Sequence, residues 1–265
     1  MKTISIGIIG AGNMGEAIIK GLCRKKGFRL GVYEQNKARM NLIARRYAVK
    51  RIGLDRLTKS VNIIIICVKP QDIDNLLVAL RVNLHERQVI ISIAAGITTA
   101  FIERRIGIRI PVARVMPNMP GLIGKGVSVY CLGRYAGKPV SRSVMAIFSV
   151  MGETLQQPEK NMDAVTAVSG SGPGFAAYLF ESMIGAAKKA GIDAKTAQFL
   201  CLKTLEGTLA FLNATGVSPE ELVRKVASKG GTTEAGLDVF KNKNIAAIVG
   251  QAIQAAVKRA KELRK

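Results

Sequence analysis

A glycine triplet near the amino end, Gly10-Ala11-Gly12-Asn13-Met14-Gly15, constrains the fold more than any other stretch of the chain. It directly follows the apolar run Ile4–Ile9, opens an amphipathic stretch from Ala17 to Arg24, and precedes a second apolar run, Leu30–Tyr33. The first glycine permits a tight turn, the second lets an anion approach bare backbone, and the third lets helix and strand pack closely. A helix that starts there offers unpaired N–H groups and the positive end of its dipole. The spacing predicts a β-α-β unit that holds a dinucleotide pyrophosphate, with Ile9, Gly10, Ala11, Gly12, Asn13, Met14 and Gly15 as the cradle. Glu34 ends the second apolar run 19 residues after Gly15. An acid there accepts hydrogen bonds from the adenosine ribose hydroxyls, which favours NADH, while Lys37 and Arg39 within a turn of it leave NADPH open.

Short apolar runs and amphipathic stretches keep alternating: Asn62–Val68 then Ile73–Leu84, Gln88–Ala94 then Thr98–Ile106, with Ile110–Val115 and Gly126–Cys131 as further strands and Ser141–Gly152 as a helix. Runs that are apolar at consecutive positions fit parallel strands covered on both faces. Ligands meet such a sheet at its carboxyl ends, so the loops Val68-Lys69-Pro70 and Ala94-Ala95-Gly96 join the expected coenzyme site. Beyond about residue 160 only helical windows remain: Met162–Ala190, Lys195–Thr215, Pro219–Ser228, Thr233–Phe240 and Ile245–Arg264. The chain therefore divides into a Rossmann-type α/β domain, residues 1–160, and an all-α domain, residues 161–265. Ser218 before Pro219, with Glu221 three residues on, forms a capping box. The nearly unbroken apolar content from Ala164 to Ala187 exceeds what a small monomeric bundle covers, which points to a core shared between subunits.

Composition narrows the remaining choices. The 265 residues carry 40 Lys+Arg against 18 Asp+Glu, a net charge of +22, and residues 1–160 hold 26 of those cations against 9 acids. The basic residues are scattered in short pairs without a basic arm, a zinc-finger spacing or clustered aromatics, so no nucleic-acid partner is expected. Four cysteines lie far apart with no C-x-x-C, which argues against a metal or a disulfide framework and for a reducing, cytoplasmic setting. Cys67, within Ile63–Val68, reads as a small buried hydrophobe. No run reaches the roughly 18 apolar residues of a membrane span. His85, the one histidine, falls in a helix-to-strand connection at the surface.

Three segments remain that are rich in Gly, Pro, Ser and Thr: Met116-Pro117-Asn118-Met119-Pro120, Ser169-Gly170-Ser171-Gly172-Pro173 and Lys229-Gly230-Gly231-Thr232-Thr233-Glu234. Together with the glycine triplet, Val68-Lys69-Pro70 and Ala94-Ala95-Gly96, in order and spacing over essentially the whole chain, they resemble the pyrroline-5-carboxylate reductase family. The resemblance implies an NADH- or NADPH-dependent reduction of 1-pyrroline-5-carboxylate to proline, the last step of proline synthesis. It also implies a helical domain that dimerises by interlocking, dimers that assemble further into rings, and an active site between coenzyme and the partner's helices. Carried onto matching positions, it makes Gly230, Gly231, Thr232, Thr233 and Ser171 substrate-binding, Thr233 the candidate catalytic hydrogen-bond donor, and Asn118 a coenzyme contact. Lys229 stands where a proline is common in the family, and Gly174-Phe175 replaces Ala-Tyr.

Other readings of the same plan are a reductase for another imine, a β-hydroxyacid dehydrogenase and a non-catalytic dinucleotide binder. The dehydrogenase needs a helix lysine as base shortly after its glycine turn. Here the first lysine after Pro173 is Lys188, about four helical turns on.

Overall fold

The computed structural model describes residues 3–263. Eight strands form one sheet in the order β3-β2-β1-β4-β5-β6-β7-β8. They are β1 Ile4–Ile9, β2 Phe28–Tyr33, β3 Lys50–Arg51, β4 Ile63–Ile66, β5 Val89–Ser92, β6 Val112–Pro117, β7 Gly126–Leu132 and β8 Gly152–Gln156. The first six run parallel, β7 is antiparallel to β6, and β8 is parallel to β7. The strand order reverses between β1 and β4, and a crevice for ligands opens outside the carboxyl ends at such a switch point.

Strand β4, Ile63-Ile64-Ile65-Ile66, shows why consecutive apolar residues were needed, since all four are buried. Ile63 and Ile65 join one apolar layer with Ile18, Leu22, Met40 and Phe148, while Ile64 and Ile66 join the other with Leu77, Ile102 and Ile106. Both layers are built by crossover helices, α1 Asn13–Cys23, α2 Lys37–Tyr47 and α6 Lys138–Phe148 on one face, α4 Ile73–Arg81 and α5 Thr99–Ile106 on the other. The expected strands are all present, with ends moved by a few residues. Three short elements depart from the expectation: β3, the helix α3 Leu54–Ser60, and β8, where the expected helix to Gly152 instead ends at Phe148 and continues as a 3-10 turn to Met151.

The chain separates into two compact units. Among the described residues one comprises 3–173 together with 256–263, and the other comprises 174–255. Residues 162–173 belong with the sheet because Met162 is fully buried against Val129 and Cys131 of β7. The expected continuous helix Met162–Ala190 is interrupted: α7 Met162–Val165 passes into a π-helical turn Thr166–Gly170 before α8 Gly172–Lys189. The remaining helices are α9 Ala194–Thr215, α10 Pro219–Val226, α11 Thr232–Asn242 and α12 Ile245–Glu262; Arg264, the expected end of α12, lies outside the described residues. Ser218 caps α10 by accepting from the Glu221 N–H at 3.2 Å, and Gly216 closes α9 in the left-handed conformation. No helix among the described residues is long and apolar enough to cross a membrane.

Candidate functional site

The glycine turn sits at the carboxyl end of β1, beside the switch point, and its three glycines do different work. Gly10 has φ +92°, and a Cβ there would meet the Cys67 carbonyl oxygen at 2.8 Å. A Cβ on Gly15 would stand 2.3 Å from the Gly10 oxygen. Around Gly12 there is open space, with nothing within 4 Å of an added Cβ. Gly12 is also the N-cap of α1 and supplies no side-chain acceptor. The first N–H satisfied by the helix is that of Glu16, on the Gly12 oxygen at 2.8 Å, so those of Asn13, Met14 and Gly15 remain for a ligand. A bare helix start beside open space is what a pyrophosphate needs.

Glu34 stands beside this turn. Its Oε2 accepts from the Ala11 N–H at 2.7 Å and its Oε1 from the Asn36 N–H at 2.9 Å. Each carboxylate oxygen keeps a further lone pair, so the pinned acid can still accept from ribose hydroxyls. Arg39, read from sequence as within reach of a phosphate, is partly committed: its Nε donates to the Ala11 oxygen at 2.8 Å and an Nη donates to Glu16. Glu16 also accepts from Arg46 and from the Tyr47 hydroxyl, each at 2.7 Å. Burial alone would raise the Glu16 carboxyl, but the hydrogen bonds from Tyr47, Arg46 and Arg39 outweigh it and hold it below its ordinary value. Sequence reasoning passed over Glu16; its signal was an acid in the first turn of a helix, at the positive end of the dipole.

The other coenzyme candidates lie in the same unit. Lys69 is exposed and precedes a 3-10 turn that starts at Pro70, and Val68 is half-buried. Ala94 and Gly96 are buried and Ala95 is half-buried; Gly96 has φ +75° and lies against the Leu263 carbonyl, 2.4 Å from an added Cβ, so the end of α12 backs this loop. Asn118 uses its Oδ1 to accept from the Val127 N–H at 3.0 Å, which fastens the turn between β6 and β7. Cys67 is half-buried behind the glycine turn, and burial pushes its thiol up to about 12, so it is no nucleophile. His85 is exposed. No cluster of metal-ligating side chains occurs among the described residues. A second residue missed from sequence is Arg114, buried on β6 with Glu159 and Asp163 each 3.8 Å from its guanidinium. Its signal was a lone cation in an apolar strand.

The substrate candidates divide between the two units. Ser171 belongs to the first, where its N–H closes the π turn on the Thr166 oxygen at 2.9 Å. Such turns recur at functional sites. Gly230 to Thr233 belong to the second, at the start of α11. Gly230 takes φ +72° and its N–H is held by the Glu234 carboxylate at 2.6 Å. Gly231 is the N-cap without a side-chain acceptor, and Thr232 and Thr233 form the first turn. Thr233 is half-buried, and neither threonine hydroxyl has a protein partner among the described residues. This is a second bare helix start, with two hydroxyl donors added.

Comparison with known proteins bears on both units. Residues 159–263 match the family model described as pyrroline-5-carboxylate reductase dimerisation, and residues 5–96 match one described as NADP oxidoreductase, coenzyme F420-dependent. A pyrroline-5-carboxylate reductase of Pseudomonas aeruginosa is 36% identical over 99% of this chain and 98% of its own. The structure of a pyrroline-5-carboxylate reductase from Coxiella burnetii superposes with TM-score 0.93 at 28% identity, covering all of both chains. That of the Plasmodium falciparum enzyme, solved with NADP bound, gives TM-score 0.89 at 27% identity, again over all of both chains.

Proposed function

The chain belongs to the pyrroline-5-carboxylate reductase family and reduces 1-pyrroline-5-carboxylate to proline with NADPH or NADH, and we propose which of its residues carry that reaction. The observation that supports the reading is the pair of bare helix starts, Gly12 before α1 and Gly231 before α11, neither with a side-chain cap. The reaction has two anionic reactants, a dinucleotide and a carboxylate, and each helix start suits one of them.

In this reading Ile9 to Gly15 hold the pyrophosphate, and Glu34 accepts from the ribose. The loops Val68–Pro70 and Ala94–Gly96, with Asn118, line the nicotinamide side. Gly230 and Gly231, whose own N–H groups are taken by the Glu234 carboxylate and the Ser228 oxygen, shape the cradle for the substrate carboxylate, which the N–H groups of Thr232 and Thr233 and the Thr232 hydroxyl hold, and Ser171 adds a further donor. The bound nicotinamide supplies a hydride from its C4, which bonds to the imine carbon while the electrons of the C=N bond move to nitrogen. That nitrogen takes its proton from water before or during the transfer, so no side chain has to change its charge. Thr233 donates a hydrogen bond to the ring nitrogen or carboxylate and fixes the face presented. Orientation is the main task of such a site, and it needs no histidine.

The pinned carboxylate of Glu34 repels a 2′-phosphate, so NADH is the preferred coenzyme and NADPH is accepted. The enzyme works in the cytoplasm as a homodimer, with rings of dimers as the higher assembly. Isotope transfer tests the reaction directly: with coenzyme carrying deuterium at both C4 positions, proline should carry deuterium at C5. Proline formed without the label would contradict hydride transfer, and no proline would contradict the substrate.

A further inference from the structure

A cleft of about 780 Å³ opens at the end of the sheet opposite the glycine turn. It forms where the edge of the sheet is incomplete. Strand β3 pairs with β2 only at Gly31 and Val32, which leaves Phe28, Arg29 and Leu30 without a neighbour on that side. Five cations line the opening, Lys25, Arg29, Lys50, Arg51 and Arg56, and no carboxylate does. Lys25 is fastened at the rim, donating to the Ala146 oxygen at 3.0 Å and to the Ser149 hydroxyl at 2.9 Å. The other four have no ion pair among the described residues, and the nearest acid in sequence, Asp55, instead accepts from Asn83. The floor is apolar, with Leu22, Phe28, Leu30 and Ile52. Ala48 on the wall holds the left-handed conformation, φ 52°, uncommon without glycine.

Cations held on converging elements without counter-charges repel one another, and a multivalent anion relieves that repulsion. The cleft is concave and of the size that takes a small molecule, whereas a nucleic acid would need a basic surface to track along its backbone. We propose that this cleft is a binding site for a small phosphate-bearing polyanion, separate from the coenzyme site. The separation follows from the strands: β1 runs from Ser5 in the cleft to Ile9 at the glycine turn, and β2 from Phe28 to Tyr33 just before Glu34. The two sites do share a chain of contacts. Tyr47 lines the cleft and donates to Glu16, which binds Arg39, which in turn binds the Ala11 oxygen.

Calorimetric titration of the whole protein with inorganic triphosphate, in saturating NADPH so that the glycine turn is already filled, tests the proposal. The expected result is one triphosphate per chain, weakened at least tenfold by Arg29→Gln with Arg56→Gln, with NADPH affinity in the variant unchanged. Citrate, which offers carboxylates in place of phosphates, should bind more weakly. No binding in saturating NADPH, equal binding to the double variant, or citrate binding as tightly as triphosphate would each overturn the proposal. A short RNA that binds far tighter than triphosphate would overturn it in favour of a nucleic-acid surface. These are binding readouts, so a failure here is distinguishable from a failure of the reductase assignment.

Discussion

The sheet unit and the helical unit use apolar residues in opposite ways. In the first, a single chain closes its own core: Ile64, Ile65 and Ile66 are fully buried between two helix layers. In the second, α8 runs through 18 residues without burying one, and α9 buries only Ala197 and Cys201. Tyr178 stays 71% exposed and Leu209 61%. A monomeric protein does not leave contiguous apolar faces of this kind in water. The difference teaches that the sheet is specified by one copy of the sequence, while the helices are specified by two, in keeping with the dimerisation model that residues 159–263 match.

That contrast can be broken experimentally, and the largest effect should come from the exposed faces. Replacing Tyr178 and Leu209 together by Asp should weaken self-association by about a thousandfold, because buried aromatic and aliphatic anchors carry most of an interface's energy. Analytical ultracentrifugation across a concentration series would detect it, and an unchanged dimer would show that these faces are covered otherwise. Ile65→Ala should instead lower the stability of the sheet unit by about 3 kcal/mol, measured by urea unfolding, with the dimer constant unchanged.

Within the glycine turn Gly12 differs from Gly10 and Gly15: it has open space where an added Cβ on either of those would clash with backbone. Gly12→Val should weaken both coenzymes at least a hundredfold by fluorescence titration with little change in melting temperature, since its side chain would enter space reserved for ligand. Unaltered NADH affinity would remove the glycine turn from the site. Glu34→Ser should move the NADPH-to-NADH ratio of kcat/KM by about tenfold toward NADPH, through lost repulsion of a 2′-phosphate. Steady-state kinetics with both coenzymes would show no movement if Glu34 does not read the ribose.

The smallest effect concerns Glu16. Its carboxyl is held below the ordinary 4.5, so the ionised form is the one that the fold stabilises. That contribution is complete above pH 4.5 and is lost as pH falls through the lowered value. Glu16→Gln should therefore cost about 1 kcal/mol at neutral pH. The gap from wild type should close on acidification, and a gap independent of pH would show that charge at Glu16 is not what stabilises the turn.

Much of this was legible in the sequence for a simple physical reason. Buried parallel strands must be apolar at every position, so Ile63–Ile66 announces itself, and a glycine turn between strand and helix has few alternative uses. What escaped lacked such a signature. Strand β3 is two charged residues, both exposed at an edge, and β8 is mostly polar at the far end of the sheet. The π turn at Thr166–Gly170, TAVSG, falls inside one helical window, and a π turn carries no spacing signature that sets it apart from an α turn. The roles of Glu16 and Arg114 depend on partners far away in sequence, Arg39 and Tyr47 for one, Glu159 and Asp163 for the other. For Glu34, the sequence named the acid, and the structure adds that its oxygens are pinned by Ala11 and Asn36, partners no spacing pattern announces.

The measurement that tests the central claim most directly is the loss of NADH and NADPH absorbance in parallel assays of the purified dimer with 1-pyrroline-5-carboxylate at neutral pH. Oxidation of both coenzymes with stoichiometric formation of proline, and the higher kcat/KM for NADH, is the predicted result. A folded dimer that binds coenzyme yet turns over neither would contradict it.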